Sequence, residues 1–162
     1  DFPMTHNAWD PSFNGGSALT YDNVVLFPQG IDIYVAKLSE DGSNLLASTY
    51  VGGTGNDGLN FRDYYDNGNI IMVGNDSLYY NYADGARGEV VTDDDGNVYV
   101  GTTSFSSDFP TTATSFDPTF NGKQEGVVFK LNSNLNYLIW SSYLGGNNDD
   151  AIYSITFDKD QD

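Results

Sequence analysis

The chain has 162 residues and a formal net charge of −17, from 23 acidic and 6 basic side chains. That charge repels phosphate backbones and anionic lipid, which excludes nucleic-acid binding, and no stretch approaches the roughly 20 apolar residues of a membrane-spanning helix. Without cysteine there are no disulfides and no thiolate metal sites, while aromatics at 15%, set among scattered carboxylates, mark a folded chain rather than an acidic disordered tail.

Asp1-Phe2-Pro3 leads into Asp10-Pro11-Ser12-Phe13-Asn14-Gly15-Gly16, a connection rich in proline and glycine. Ser17 to Gly30 follows as an insertion, and Ile33 to Leu38 reads as a strand, short and β-branched. Glu40-Asp41-Gly42-Ser43 turns the chain, with Gly42 placed for a positive φ, and Leu45 to Val51 returns to Gly52-Gly53. Asn56-Asp57 reads as a turn into the next strand. Phe61 to Tyr65, the turn Asp66-Asn67-Gly68-Asn69 and Ile70 to Val73 make a second hairpin, and a tyrosine-rich loop, Leu78 to Arg87, follows it. Val90 to Thr92, Asp93-Asp94-Asp95-Gly96-Asn97 and Val98 to Val100 repeat that hairpin. Asp108-Phe109-Pro110 opens another connection, ending in Asp117-Pro118-Thr119-Phe120-Asn121-Gly122-Lys123. Val127 to Leu131 and Tyr137 to Leu144 pair around Asn132-Ser133-Asn134, where asparagine is expected to take the left-handed conformation. After Gly145-Gly146 and the turn Asn148-Asp149-Asp150, Tyr153 to Phe157 reads as the first strand of a third such hairpin.

Two registers tie these elements together. The Asp-Phe-Pro connections repeat 107 positions apart, and Ala36-Lys37-Leu38 through Gly53 matches Phe129-Lys130-Leu131 through Gly146 at 93. The difference is a 14-residue insertion, which Ser17 to Gly30 supplies. Residues 1–53 and 108–146 are thus two copies of one unit, with an inserted hairpin and loop near 58–87. Such repetition identifies an architecture whose units cannot bury a core alone. No window of ten residues shows helical period, so the fold is expected to be all-β. Evenly spaced hairpins suggest blades of a β-propeller or coils of a solenoid. Two hairpins per four-stranded blade give about three blades, fewer than the roughly 4–8 of a closed ring. Residues 1–162 are therefore expected to be part of one β-propeller domain, a fragment of a larger ring. A start without Met and a stop inside the turn Asp158 to Asp162 fit a piece of a longer polypeptide.

The strings Asp108 to Thr112, Phe116 to Gly122, Val35 to Gly53 and Asp93 to Thr102 together resemble the bacterial SBBP β-propeller repeat. The insertions at Ser17–Gly30 and Gly58–Arg87 resemble the variant in very large surface proteins of Bacteroidota associated with gliding motility. The resemblance implies a secreted, cell-surface repeat protein exported by type IX secretion. It implies no enzymatic activity, and fold alone does not give function.

Among chemistry-bearing residues, the only histidine, His6, sits in a loop-like segment and is read as incidental. No Gly-x-Ser-x-Gly elbow occurs. Paired Asp residues could serve glycoside hydrolysis, but Asp in hairpin turns also caps its own backbone, and no catalytic residue is assigned. Calcium is the candidate cofactor: Asp158, Asp160 and Asp162, and likewise Asp93, Asp95 and Asn97, offer oxygens at alternate positions. Neither triplet has the bidentate Glu of a calcium loop, and Gly96 falls one place before the third oxygen. Tyr79, Tyr80 and Tyr82 are the candidate binding residues, since tyrosine beside Asn81 suits a carbohydrate or protein contact; a covering loop has the same composition. Phe2, Phe13, Phe109, Phe120, Tyr50 and Tyr143 recur in register and are expected to pack between blades, with Trp9 and Phe116 equivalent.

The expected function is a non-catalytic structural or adhesive scaffold, presenting its insert loops to a surface, a glycan or a protein partner. Its other expected partners are the rest of the same polypeptide and components of the secretion machinery. The alternatives are a carbohydrate-active propeller enzyme using paired Asp residues, and a cargo or spacer domain.

Overall fold

Short β-branched runs bounded by glycine and asparagine become strands. The computed structural model, which describes residues 2–21, 24–66, 69–74, 78 and 84–158, is all-β apart from one 3-10 turn at Asp84–Ala86. Within the first insertion, β1 (Leu19–Tyr21) pairs with β2 (Val24–Phe27). β3 (Ile33–Leu38) and β4 (Leu45–Val51) form the next hairpin, and β5 (Phe61–Asp66) and β6 (Asn69–Gly74) a third. β7 (Glu89–Thr92), β8 (Val98–Ser104), β9 (Glu125–Leu131) and β10 (Leu138–Leu144) then run as one four-stranded antiparallel meander. Among the described residues no helix is long and apolar enough to cross a membrane.

The two copies correspond bond by bond. Asp10 N donates to Thr49 Oγ1 at 2.9 Å, as Asp117 N does to Ser142 Oγ at 2.9 Å. Tyr50 N donates to Asp10 O at 3.0 Å, and Tyr143 N to Asp117 O at 2.9 Å. Tyr50 Oη accepts from Phe2 N at 3.2 Å, and Tyr143 Oη from Phe109 N at 3.1 Å. Each Asp-Phe-Pro connection is thereby laced along the outer edge of β4 or β10, and the sequence repeat is also a repeat of backbone satisfaction.

The core lies between the copies. Val35, Ala47 and Val51 of the first hairpin pack with Val98, Val100, Val127, Phe129, Leu131 and Leu138 of the four-stranded sheet. Burying each large side chain contributes about 1.5–3 kcal/mol. On the sheet's other face, Gly101 and Gly126 make room for Ile152 and Ile155, whose side chains occupy the space that a Cβ at either glycine would need.

Three expectations are corrected here. Tyr153 to Phe157 forms no strand; its side chains pack on the four-stranded sheet instead, with Ile155 against Gly101 and Phe157 meeting Tyr99 edge-on at 4.9 Å. The left-handed residue of the β9–β10 turn is Leu135, at φ 53°, and not an asparagine. It stands where Gly42 (φ 71°) stands in the first copy, and full burial in the core offsets its backbone strain. Trp9 and Phe116 do not share an environment: Trp9 packs against the core, whereas Phe116 is 84% exposed. The four-stranded sheet and three hairpins close no ring among the described residues.

Candidate functional site

Carboxylates raised above their ordinary range recur with the repeat at Asp32 and Glu125. Asp32, just before β3, accepts from the backbone N–H of Asn14 (2.6 Å) and Gly15 (3.1 Å) through Oδ2. At the same register Glu125, the first residue of β9, accepts from Asn121 N (2.9 Å) and Gly122 N (2.7 Å) through Oε1. Each acid holds the Phe-Asn-Gly end of its connection closed. A second acid follows the Gly-Gly pair: Asp57 Oδ2 accepts from Gly53 N at 2.9 Å and Asp150 Oδ2 from Gly146 N at 2.7 Å.

The two acids of each copy converge on the first glycine of that pair. A Cβ at Gly52 would lie 2.7 Å from Asp32 Oδ1 and 2.9 Å from Asp57 Oδ2. One at Gly145 would collide with Glu125 Oε2 and lie 2.8 Å from Asp150 Oδ2. Asp32 Oδ1 and Glu125 Oε2 are also the two carboxylate oxygens among the described residues' buried side-chain atoms without a hydrogen-bond partner. Burial and a neighbouring acid each favour the neutral form of a carboxyl. Burial raises the Asp32 carboxyl above its usual range against the pull of the Asn14 and Gly15 N–H groups, with Asp10 adding to the rise. Burial raises Glu125 likewise, against Asn121 and Gly122, with Asp150 and Asp117 adding.

Asp57 is the centre of the first pair and is 1% exposed. Its Oδ1 accepts from Ser104 Oγ, and its Oδ2 from Ser106 Oγ at 2.7 Å as well as from Gly53. Burial outweighs these donors and pushes its pKa up to about 6. Around it, Gly58 N donates to Thr103 O (2.8 Å) and Phe105 N to Asn56 O (3.0 Å), so residues 56–58 extend the end of β8 and bind the first copy to the second. A cavity of about 520 Å³ borders the pair, walled by Ile33, Val35, Leu59, Val90 and Val100. Both Asp57 oxygens accept protein hydrogen bonds, so Asp57 braces Gly53 against the end of β8 at the rim of this cavity.

The sequence candidates are placed elsewhere. Asp93 is a turn cap: its oxygens accept from Asn97 N (2.8 Å), Asn97 Nδ2 (2.9 Å) and Tyr99 Oη (3.3 Å), and Lys130 Nζ lies 3.2 Å away. Its acidity follows, with the Asn97 side chain first among the causes that hold the pKa near 2, at about 2. An amide N–H and an ammonium on the same oxygens do not fit a calcium cage. Among the described residues no group of three or more His, Cys, Asp or Glu is placed to hold a metal ion. Asp158 is exposed, while Asp160 and Asp162 lie outside the described residues, as do Tyr79, Tyr80 and Tyr82. His6 is exposed in its loop.

Sequence reasoning read Asn56-Asp57 and Asn148-Asp149-Asp150 as turns and missed the acid pairs. The signal was available: Asp32 and Glu125, and Asp57 and Asp150, keep the same 93-residue register as the strands. Comparison with protein-family models, with curated proteins and with solved structures finds no match to this chain.

Proposed function

We propose that the chain is a segment of a β-propeller acting as a non-catalytic scaffold in a large, exported cell-surface protein. The four-stranded meander β7–β10 is the blade of this reading, and the β3–β4 hairpin is half of the blade beside it. The observation that carries it is the recurrence of one hydrogen-bond set in both copies, with residues of the β3–β4 hairpin and of the four-stranded sheet sharing one core. A scaffold needs such uniform joints. The insert loops, Ser17–Gly30 and Leu78–Arg87, break the repeat and are the parts offered to a glycan or protein partner.

Incubation with a panel of polysaccharides, scoring retention and release of reducing ends separately, tests the reading. Retention without release is expected, with Tyr80→Ala/Tyr82→Ala weakening retention at unchanged melting temperature. Release that disappears in Asp57→Asn would replace the scaffold by a carbohydrate-active enzyme.

A further inference from the structure

The connections of both copies end in Asn-Gly, the dipeptide that cyclises on itself most readily, because glycine puts no side chain in the way. The backbone nitrogen of the glycine attacks the asparagine Cγ, ammonia leaves, and the resulting five-membered succinimide takes up water to give aspartate or isoaspartate. One water enters and one ammonia departs, with no oxidant and no cofactor. Asn14 and Asn121 are both exposed, so water and hydroxide reach them. Neither glycine is dispensable: a Cβ at Gly15 would strike Gln29 O, and one at Gly122 would strike Asn148 O. The fold therefore places a reactive pair in each copy, and it also holds every group that the cyclisation needs. Gly15 N donates to Asp32 Oδ2 at 3.1 Å and Gly122 N to Glu125 Oε1 at 2.7 Å. The leaving amide is held as well. Asn14 Nδ2 donates to Asp10 Oδ2 at 3.2 Å, and Asn121 Nδ2 to Asp117 Oδ2 at 2.9 Å and Thr119 O at 3.0 Å. A third Asn-Gly, Asn67-Gly68, lies outside the described residues.

We infer that Asn14-Gly15 and Asn121-Gly122 are latent self-modification sites, latched by Asp32 and Glu125 and converted to aspartate or isoaspartate only when the connection opens. The latch acts first on the nucleophile. Attack needs the glycine nitrogen to give up its proton, and a carboxylate accepting that N–H opposes the negative charge that would form. Attack also needs the nitrogen to turn from its acid towards Cγ, and the asparagine amide to leave Asp10 or Asp117. Conversion therefore proceeds from the opened connection, at a rate scaled down by the population of that state. The two latches are unequal. The second is shorter at its glycine and holds the amide twice, so Asn14 converts ahead of Asn121. The change is also one-way. Aspartate in place of Asn121 sets a carboxylate against Asp117 where a donor stood, and isoaspartate lengthens the backbone by one methylene before Gly122 N. These hydrogen bonds are independent of the propeller assignment.

Incubation of the purified chain at about pH 8.5, well above the carboxyl range, followed by peptide mass mapping with isoaspartate resolved by chromatography, reads each site separately. The chain unfolded in guanidinium chloride gives the reference rate. In the folded wild type both sites should convert at least about tenfold more slowly than this reference, with Asn14 ahead of Asn121. Asp32→Ala should release Asn14 alone and Glu125→Ala should release Asn121 alone, so the untouched site in the same molecule reports that the fold persists. Should either variant unfold, both sites accelerate together. Asp10→Ala then takes its place, since it frees the Asn14 amide and leaves Asp32 intact, and Asn14 alone should again accelerate. A folded wild type that converts at the reference rate, Asn121 outrunning Asn14, or a folded variant whose released site stays as slow as in the wild type would overturn the inference. Any of these would leave the scaffold reading standing, since that is tested by retention on glycans.

Discussion

The sharpest test of the buried acid pair is the pH dependence of stability at Asp57. Its carboxyl titrates near 3.8 when unfolded and at about 6 when folded, because burial outweighs the Ser104, Ser106 and Gly53 donors. The folded protein therefore binds this proton more tightly. Stability from this group is fully present below the unfolded value and is lost as pH rises through about 6. At about 1.4 kcal/mol per pKa unit, the whole difference is about 3 kcal/mol, of which about 2 kcal/mol falls between pH 7 and pH 4.5. Asp32 and Glu125, also raised by burial, add in the same direction. Asp41 and Asp93, held near 2, act in the opposite direction only once pH falls below their unfolded value of 3.8. Urea unfolding at pH 7 and 4.5 reads the effect, with Asp57→Asn separating it from the general relief of negative charge. The wild type should gain stability on acidification and the variant should gain about 2 kcal/mol less. Equal gains in both proteins, or a loss in the wild type, would refute the buried-acid argument.

Leu135→Ala should cost about 2–5 kcal/mol in chemical unfolding, since it empties the core and leaves the left-handed backbone in place. Gly145→Ala should lower the melting temperature more than Gly42→Ala: the first drives a Cβ into Glu125, whereas the second meets no atom within 4 Å and bears only the roughly 1–2 kcal/mol of its φ of 71°. Tyr143→Phe removes both the acceptor of Phe109 N and a donor to Ser106 O (2.7 Å), and should destabilise by about 1–3 kcal/mol; Tyr50→Phe, serving only the exposed Phe2, should cost less. Adding calcium and then chelator should leave the melting temperature unchanged at Asp93; a rise with calcium that Asp93→Ala abolishes would restore that turn as a metal site.

The strands were legible because their signal is local. Ile33–Leu38 and Leu45–Val51 have the bounds that β-branched runs between glycine turns indicate. The turn of the second copy was not, because asparagine's tolerance of the left-handed region is a local preference and Leu135 is placed there by the core it fills. Tyr153 to Phe157 has the same local strand signature and yet packs its side chains on the face of the sheet, a placement set by tertiary contact with Gly101 and Tyr99. The acid pairs lay between these cases. Each carboxylate looks like an ordinary turn residue, and only the register shared by Asp32 with Glu125 and by Asp57 with Asp150 marks them as parts of one device.

That device also accounts for the charge. Long connections between short hairpins leave backbone N–H groups without ladder partners, and each must find an acceptor. Asp10 takes Ser12 N, Asp41 takes Ser43 N, Asp108 takes Thr54 N and Asp117 takes Thr119 N, beside the pairs already described. A carboxylate offers two oxygens with several lone pairs, where an amide offers one oxygen and a donor that must itself be satisfied. Asp32 and Glu125 use a single oxygen for two adjacent N–H groups and leave the other buried without a hydrogen-bond partner. A chain built from such connections accumulates acid with every repeat, without any cationic partner having selected it. The excess charge is then in part a consequence of how the loops are closed.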